Sequence, residues 1–185
     1  IGVSALAKTS KNDYLQPYVI VKKGGMNIGI IGIDIVSKTT VSSNPDKTTK
    51  FLNEKETAQK YIDELKSKGV DRIILLSHYQ YKNDINLAKT LNGIDIIVGG
   101  DSHTLLGDFS EVGLNSQGPY PTIVDNKNGT KVCVVQAWQY SQIVGELNVL
   151  FDDNGNIDSC NGTPHMMLAD SFKRKNSEGK RVEIE

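Results

Sequence analysis

The sequence predicts an α/β fold built on a mainly parallel sheet, and three observations carry that expectation. Residues 71–76 (DRIILL) and 94–98 (IDIIV) are short apolar runs bounded by turn residues, the pattern of strands covered on both faces. Between them, Ile85, Leu87, Ala88 and Leu91 fall on a short helix over 84–91 that Asn92-Gly93 ends, so strand, helix and strand form one right-handed crossover. Both runs then empty into residues that can do chemistry: Ser77-His78 after the first, and Gly99 to Thr104 (GGDSHT) after the second. Parallel strands present ligand groups at their carboxyl ends.

The remaining elements follow in order. An apolar stretch at 1–7 and a polar loop at 8–14 open the chain, which begins on Ile1; we expect further sequence upstream. Residues 18–22 and 27–33 flank Gly24-Gly25 and read as a β-hairpin. The Ser/Thr/Lys/Asn-rich stretch 37–53 reads as a long surface connection. A helix over 54–68 carries Ala58, Tyr61, Ile62 and Leu65 on one face, acidic residues in its first turn and Gly69 as its stop. Beyond the crossover, the Gly/Pro/Ser-rich stretch 107–121 is a loop long enough to serve or gate a cleft. Residues 122–124, 131–139 and 145–151 read as antiparallel strands, and a tight turn at 152–155 leads to a strand at 157–160. His165 has no partner in sequence and is read as structural; Trp138 and Tyr140 are read as strand residues used for packing. Residues 1–168 are expected to form one unit and 169–185 the start of an interdomain linker.

Composition narrows the function. At 185 residues and 38% hydrophobic, the chain can bury a core of its own. A net charge of −1 without a basic cluster gives no electrostatic footprint for nucleic acid. No apolar run approaches the roughly 20 residues of a membrane helix. Cys133 and Cys160 fit either a disulfide in an oxidising compartment or two buried thiols. Asn128-Gly129-Thr130 and Asn161-Gly162-Thr163 match a glycosylation acceptor, but Asn-Gly is equally a turn signal and that suffices.

The strand-end residues point to metal. A carboxylate oxygen and a neutral imidazole nitrogen are donors that Zn, Mn and similar cations accept, and glycines at 99 and 100 let the backbone curl so that Asp101 and His103 converge. The alternative is a loop cap at Asp101 beside an exposed histidine. His78 at the end of the neighbouring strand favours the metal reading. Asn83 and Asp84 lie close enough in sequence to orient His78 from behind.

Four segments together, LQPYVIVKKGGMNIGIIGIDIVSKTTVSSNPD, LLSHYQ, IDIIVGGDSHTLLGDF and VCVVQAWQYSQIVGELNVLFDDNGNI, resemble the catalytic domain of the 5'-nucleotidase and UDP-sugar hydrolase family of calcineurin-like metallophosphoesterases. That resemblance implies a sandwich of two mixed β-sheets flanked by helices, and a site with two divalent metal ions (Zn, Mn or Mg). It implies that His78 and Asp101 ligate one ion and His103 the other. Many relatives carry histidine where this chain has Asp101, and a harder anionic ligand shifts preference toward Mn or Mg. The family's upstream Asp-x-His pair, bridging aspartate and Gly-Asn-His block do not occur in this chain, so no catalytic residue is assigned within it.

The function so implied is metal-dependent hydrolysis of nucleotides by a metal-activated water attacking phosphorus in line, in a secreted, periplasmic or cell-surface protein. The chain would be the later half of the catalytic domain, inactive alone, and would work with the missing N-terminal part and a C-terminal substrate-binding domain. Two alternatives remain: a degenerate, non-catalytic relative that binds a nucleotide or a partner, and an enzyme of the same chemistry acting on cyclic phosphodiesters, nucleoside di- or triphosphates, or UDP-sugars.

Overall fold

The computed structural model describes residues 16–168 and 172–184; the expectations for 1–7 and 8–14 lie outside the described residues. The hairpin forms from β1 (Tyr18–Lys23) and β2 (Met26–Asp34), with Lys23 paired to Met26. Gly24 and Gly25 turn the chain there at φ 57° and 80°, a region that glycine enters without strain.

The chain then departs from expectation. The stretch read as irregular begins with a helix, α1 (Val36–Ser42), which buries none of its residues. Carboxylates hold it instead of an apolar face: Asp34 accepts from Ile35 N at 2.8 Å and Thr39 Oγ1 at 2.7 Å, and Glu54 accepts from Val36 N at 2.9 Å. Periodicity cannot reveal a helix that has no apolar stripe.

Helix α2 (Glu54–Ser67) is the one predicted, entered through an Asn53 cap that accepts from Glu56 N at 3.0 Å. Ala58, Tyr61, Ile62 and Leu65 face inward, and Ile62 and Leu65 are 0% exposed, each stabilising the fold by roughly 1.5–3 kcal/mol through burial. Strand β3 (Arg72–His78), helix α3 (Tyr81–Thr90) and strand β4 (Ile96–Val98) complete the crossover. Helix α3 starts three residues before the predicted position.

Next come β5 (Thr122–Asp125) and β6 (Lys131–Val135), joined by the expected turn at Asn128-Gly129, where Gly129 N donates to Asn126 O at 2.8 Å. The strand predicted over 131–139 ends at Val135, because Trp138, Tyr140 and Ser141 all have positive φ and cannot continue a pleat. Strands β7 (Ile143–Phe151) and β8 (Ile157–Met166) form a ribbon. Asn161-Gly162, read as a turn signal, lies inside β8 instead, and so does Pro164; a two-stranded ribbon leaves one edge of each strand unpaired, where proline is tolerated. Strands β9 (Phe172–Lys175) and β10 (Arg181–Ile184) make a separate hairpin in the stretch expected to begin a linker.

The first six strands form one mixed sheet in the order β1-β2-β3-β4-β6-β5. Its four central strands are parallel and its two edges antiparallel. Helices α2 and α3 cover one face, where Ile31, Ile62, Leu65, Ile73, Leu75 and Ile97 build the main core. The ribbon covers part of the other face, packing Leu147, Val149 and Ile157 against Ile74, Ile96 and Cys133. A Cys133–Cys160 disulfide ties the ribbon to β6. The expected α/β class holds, with the second sheet represented among the described residues by this ribbon.

The single polar residue in the β4 run, Asp95, is buried because its Oδ2 accepts from Ile73 N at 2.7 Å. Desolvation nevertheless pushes its carboxyl up to about 7, with the Ile73 bond and the charges of Lys66 and Arg72 opposing. The unfolded carboxyl releases its proton near pH 4, so stability from this group is full below that pH and falls, by at most about 1.4 kcal/mol per pH unit, as pH rises toward the folded value. Asp95→Asn, which keeps an oxygen for Ile73, should give a shallower pH dependence in denaturant titrations between about pH 5 and 7; an unchanged slope would remove Asp95 as its source.

Candidate functional site

Four parallel strands end at one edge of the sheet, and each delivers a polar residue there. Asp34 closes β2 and is paired in register with His78, which closes β3. The 99–104 loop follows β4, and Gln136 follows β6. This is the edge at which parallel strands of open α/β sheets gather ligand groups.

Two of the three residues singled out by sequence come together. His78 Nε2 lies 3.5 Å from Asp101 Oδ1, with the Asp101 side chain 4% exposed and His78 open to solvent. Two donors on one tetrahedral cation with bonds of about 2.1 Å lie about 3.4 Å apart, so this pair fits a shared ion. Two donors alone do not complete a four-ligand shell. The third, His103, packs its ring edge-on against Tyr140 at 5.4 Å between centroids. Among the described residues no group of three His, Cys, Asp or Glu side chains is gathered around one point.

The Asp101 carboxylate is also held by protein groups. Gln80 Nε2 donates to Oδ2 at 3.0 Å, and the Lys38 ammonium, carried by α1, donates to the same Oδ1 that faces His78. Burial alone would raise this carboxyl; the bonds from Lys38 and Gln80 and the Lys38 charge outweigh it and hold Asp101 below its ordinary value. Asp101 and His103 both sit in the left-handed region, at φ 64° and 49°, a backbone arrangement that costs up to roughly 1–3 kcal/mol per residue and persists only where the surroundings enforce it. Asp34, Lys38, Thr39, Ser42, His78 and Asp101 line a cleft of about 190 Å³.

A further carboxylate is buried between Ser77 and Gly99, each next to or near a residue of this cleft. Asp84 is 0% exposed; its Oδ1 accepts from Ser77 Oγ at 2.5 Å while its Oδ2 has no hydrogen-bond partner among the described residues. Desolvation pushes this carboxyl up to about 7, the Ser77 bond opposing. It packs so tightly on the loop that a Cβ at Gly99 would stand 2.3 Å from its Oδ2. Position 99 therefore admits only glycine without rearrangement. Asn83, the other residue considered for a supporting role, donates its Nδ2 to Tyr79 O at 2.7 Å.

Other expectations sort plainly. His165 bonds Glu146 across the ribbon at 2.9 Å, which is structural. Tyr140 lies in a loop, 79% exposed, and Trp138 is half-buried in the same loop. Lys38 and Gln136 were not anticipated. Nothing in the sequence could have shown Lys38, because its helix carries no periodic signal. Gln136 ends an apolar run much as His78 does, and that signal was there to be read.

No protein-family model matches the chain. Individual proteins do. It is 40% identical over 92% of its length to a probable 5'-nucleotidase of Treponema pallidum, covering 29% of that protein. It is 39% identical over 98% of its length to the NAD 5'-nucleotidase of Haemophilus influenzae, covering 31% of it, and 36% identical over 85% to a snake venom 5'-nucleotidase of Crotalus adamanteus, covering 27%. The chain thus spans about a third of the length of the relatives it matches. Among solved structures, the 5'-nucleotidase precursor of Thermus thermophilus superposes with a TM-score of 0.84 at 44% identity, covering 89% of this chain and 33% of that one. The Haemophilus influenzae NAD nucleotidase superposes with a TM-score of 0.88 at 38% identity, covering 99% of this chain and 34% of that one. A calcineurin-like phosphoesterase of Bacillus subtilis shares the fold at 21% identity, with a TM-score of 0.66 over 89% of this chain and 55% of that one. Sequence and architecture agree: this chain belongs to the 5'-nucleotidase family and has the calcineurin-like phosphoesterase fold.

Proposed function

We propose that the protein is a metal-dependent phosphohydrolase acting on nucleotides and that this chain carries part of its active site. The observation that supports this most directly is the pair His78 and Asp101, whose donor atoms lie 3.5 Å apart at the ends of adjacent parallel strands in a chain of nucleotidase ancestry. When bound, divalent cations supply Lewis acidity and a water of lowered pKa at phosphorus. His78 and Asp101 hold one such ion, and His103, two residues further along the same loop, belongs to a second. Zn, Mn and Mg all remain eligible, with the hard carboxylate of Asp101 favouring Mn or Mg. Lys38 adds positive charge at the cleft, where an anionic phosphoryl group would enter. The remaining ligands, the catalytic residues and the groups that choose among nucleotides lie in the rest of the protein.

The sheet supports a partial site. On the same side of the sheet as the ribbon but beyond its reach, Val21, Leu76 and Val98 remain 43%, 42% and 38% exposed, an apolar patch that the described residues do not cover. We assign its cover to an N-terminal part of the catalytic domain, with residues 1–168 as the later half and 169–185 as the approach to a C-terminal substrate-binding domain. The disulfide and the venom relative favour a secreted, periplasmic or cell-surface location.

One observation favours a second reading. The Lys38 ammonium occupies the Asp101 oxygen that would face a cation, as a binding protein that had lost its metals would require. Metal dependence separates the two. In the full-length protein, chelation should abolish phosphate release from nucleotides and Mn²⁺ should restore it; His78→Ala should lower kcat by about 10²-fold or more with the circular dichroism spectrum unchanged. Near-normal turnover by His78→Ala in saturating metal would defeat the assignment. The 185-residue chain alone should release little phosphate from AMP with Mn²⁺ or Zn²⁺, and robust hydrolysis by it would show that the site is not divided.

A further inference from the structure

Gln136 is 2% exposed and directs its whole carboxamide at the loop that carries Asp101 and His103. Its Nε2 donates to Gly100 O at 3.1 Å, and its Oε1 accepts from Ser102 Oγ at 3.2 Å and from Thr104 N. The residues it grips are 100, 102 and 104; the two donors stand at 101 and 103, between the points of attachment. Ser102 is fixed further, accepting from Tyr81 N at 3.0 Å and sharing a 2.8 Å hydrogen bond with the Thr104 hydroxyl.

This pattern explains the backbone of the loop. Drawing three alternate residues to one side chain forces the residues between them to turn outward, and Asp101 and His103 do so in the left-handed region. An amide fits this demand, offering a donor to Gly100 O, which also accepts from Ser102 N at 2.8 Å, and an acceptor to Ser102 Oγ and Thr104 N. A carboxylate would repel Gly100 O, and an apolar side chain would strip Thr104 N of this acceptor in a buried setting while removing one partner each from Gly100 O and Ser102 Oγ.

We propose that Gln136 is the positioning residue of the metal-ligand loop, setting Asp101 and His103 in their donor geometry without touching metal or substrate itself. This rests on the metal-dependent reading above. A glutamine that only satisfied buried backbone would matter for folding and not for metal; one that positions donors would matter for metal in protein that is already folded.

The test uses the full-length protein, with Mn²⁺ as the probe in calorimetric titration and the melting temperature of the metal-free form as the measure of folding. Gln136→Met should weaken Mn²⁺ binding by about 10- to 100-fold in protein that retains a cooperative melt, as losses of groups behind a metal ligand do. Gln136→Asn keeps the amide but shortens its reach, so it cannot hold all three contacts at once; it should remain folded and lose Mn²⁺ affinity by a smaller factor. It carries the test if the Met variant does not fold. Lowered melting temperature with unchanged Mn²⁺ affinity in the folded variants would overturn the positioning role and leave the metal reading intact. Failure of the wild-type protein to bind Mn²⁺ would overturn both.

Discussion

The parallel alignment of β2, β3, β4 and β6 is the constraint on which the rest depends. Strands that run the same way must end at the same edge, so residues 34, 78, 99–104 and 136, far apart in sequence, arrive together there. Parallel pairing also requires a crossover over one face, and α2 and α3 supply it while burying the Ile/Leu surface that makes the strands so apolar. The alignment has a second effect. Backbone at a strand end loses its ladder partners, and side chains take over as donors and acceptors: Asp34 for α1 and Gln136 for the 99–104 loop.

Much of this was legible in the sequence because apolar spacing dictated it. The α2 face, the β1–β2 hairpin, the crossover and the placement of His78 and Asp101 at strand ends all follow from runs and turns that physics reads directly. What escaped was held by polar groups. Helix α1 stands on the carboxylates of Asp34 and Glu54 and not on burial. The pairing of β8 through Gly162 and Pro164 comes from its partner β7, which overrides two strand-breaking residues. Gln136 ends its apolar run as His78 does, and the position at a strand end is legible, but the polar contacts that turn it onto the 99–104 loop leave no mark in apolar spacing.

The two faces of the sheet are unequally finished. One carries a close-packed helical layer with Ile31, Leu65, Ile73 and Leu75 at 0% exposure, the other a ribbon that reaches only as far as Ile74 and Ile96. The functional edge rises beside the open part of that second face, where His78, Leu76 and Val98 lie on the same side by register and strand alternation.

The left-handed turns at Asp101 and His103 carry a consequence for how this loop can change over evolutionary time. Aspartate, asparagine and histidine are the non-glycine residues most often found in that conformation. They are also side chains that coordinate cations through oxygen or nitrogen. A loop bent in this way can therefore exchange one coordinating side chain for another without rebuilding its backbone, while a valine, leucine or threonine at either position would be penalised for its shape before its chemistry mattered. The backbone restricts the alphabet, and the permitted letters are those able to bind metal.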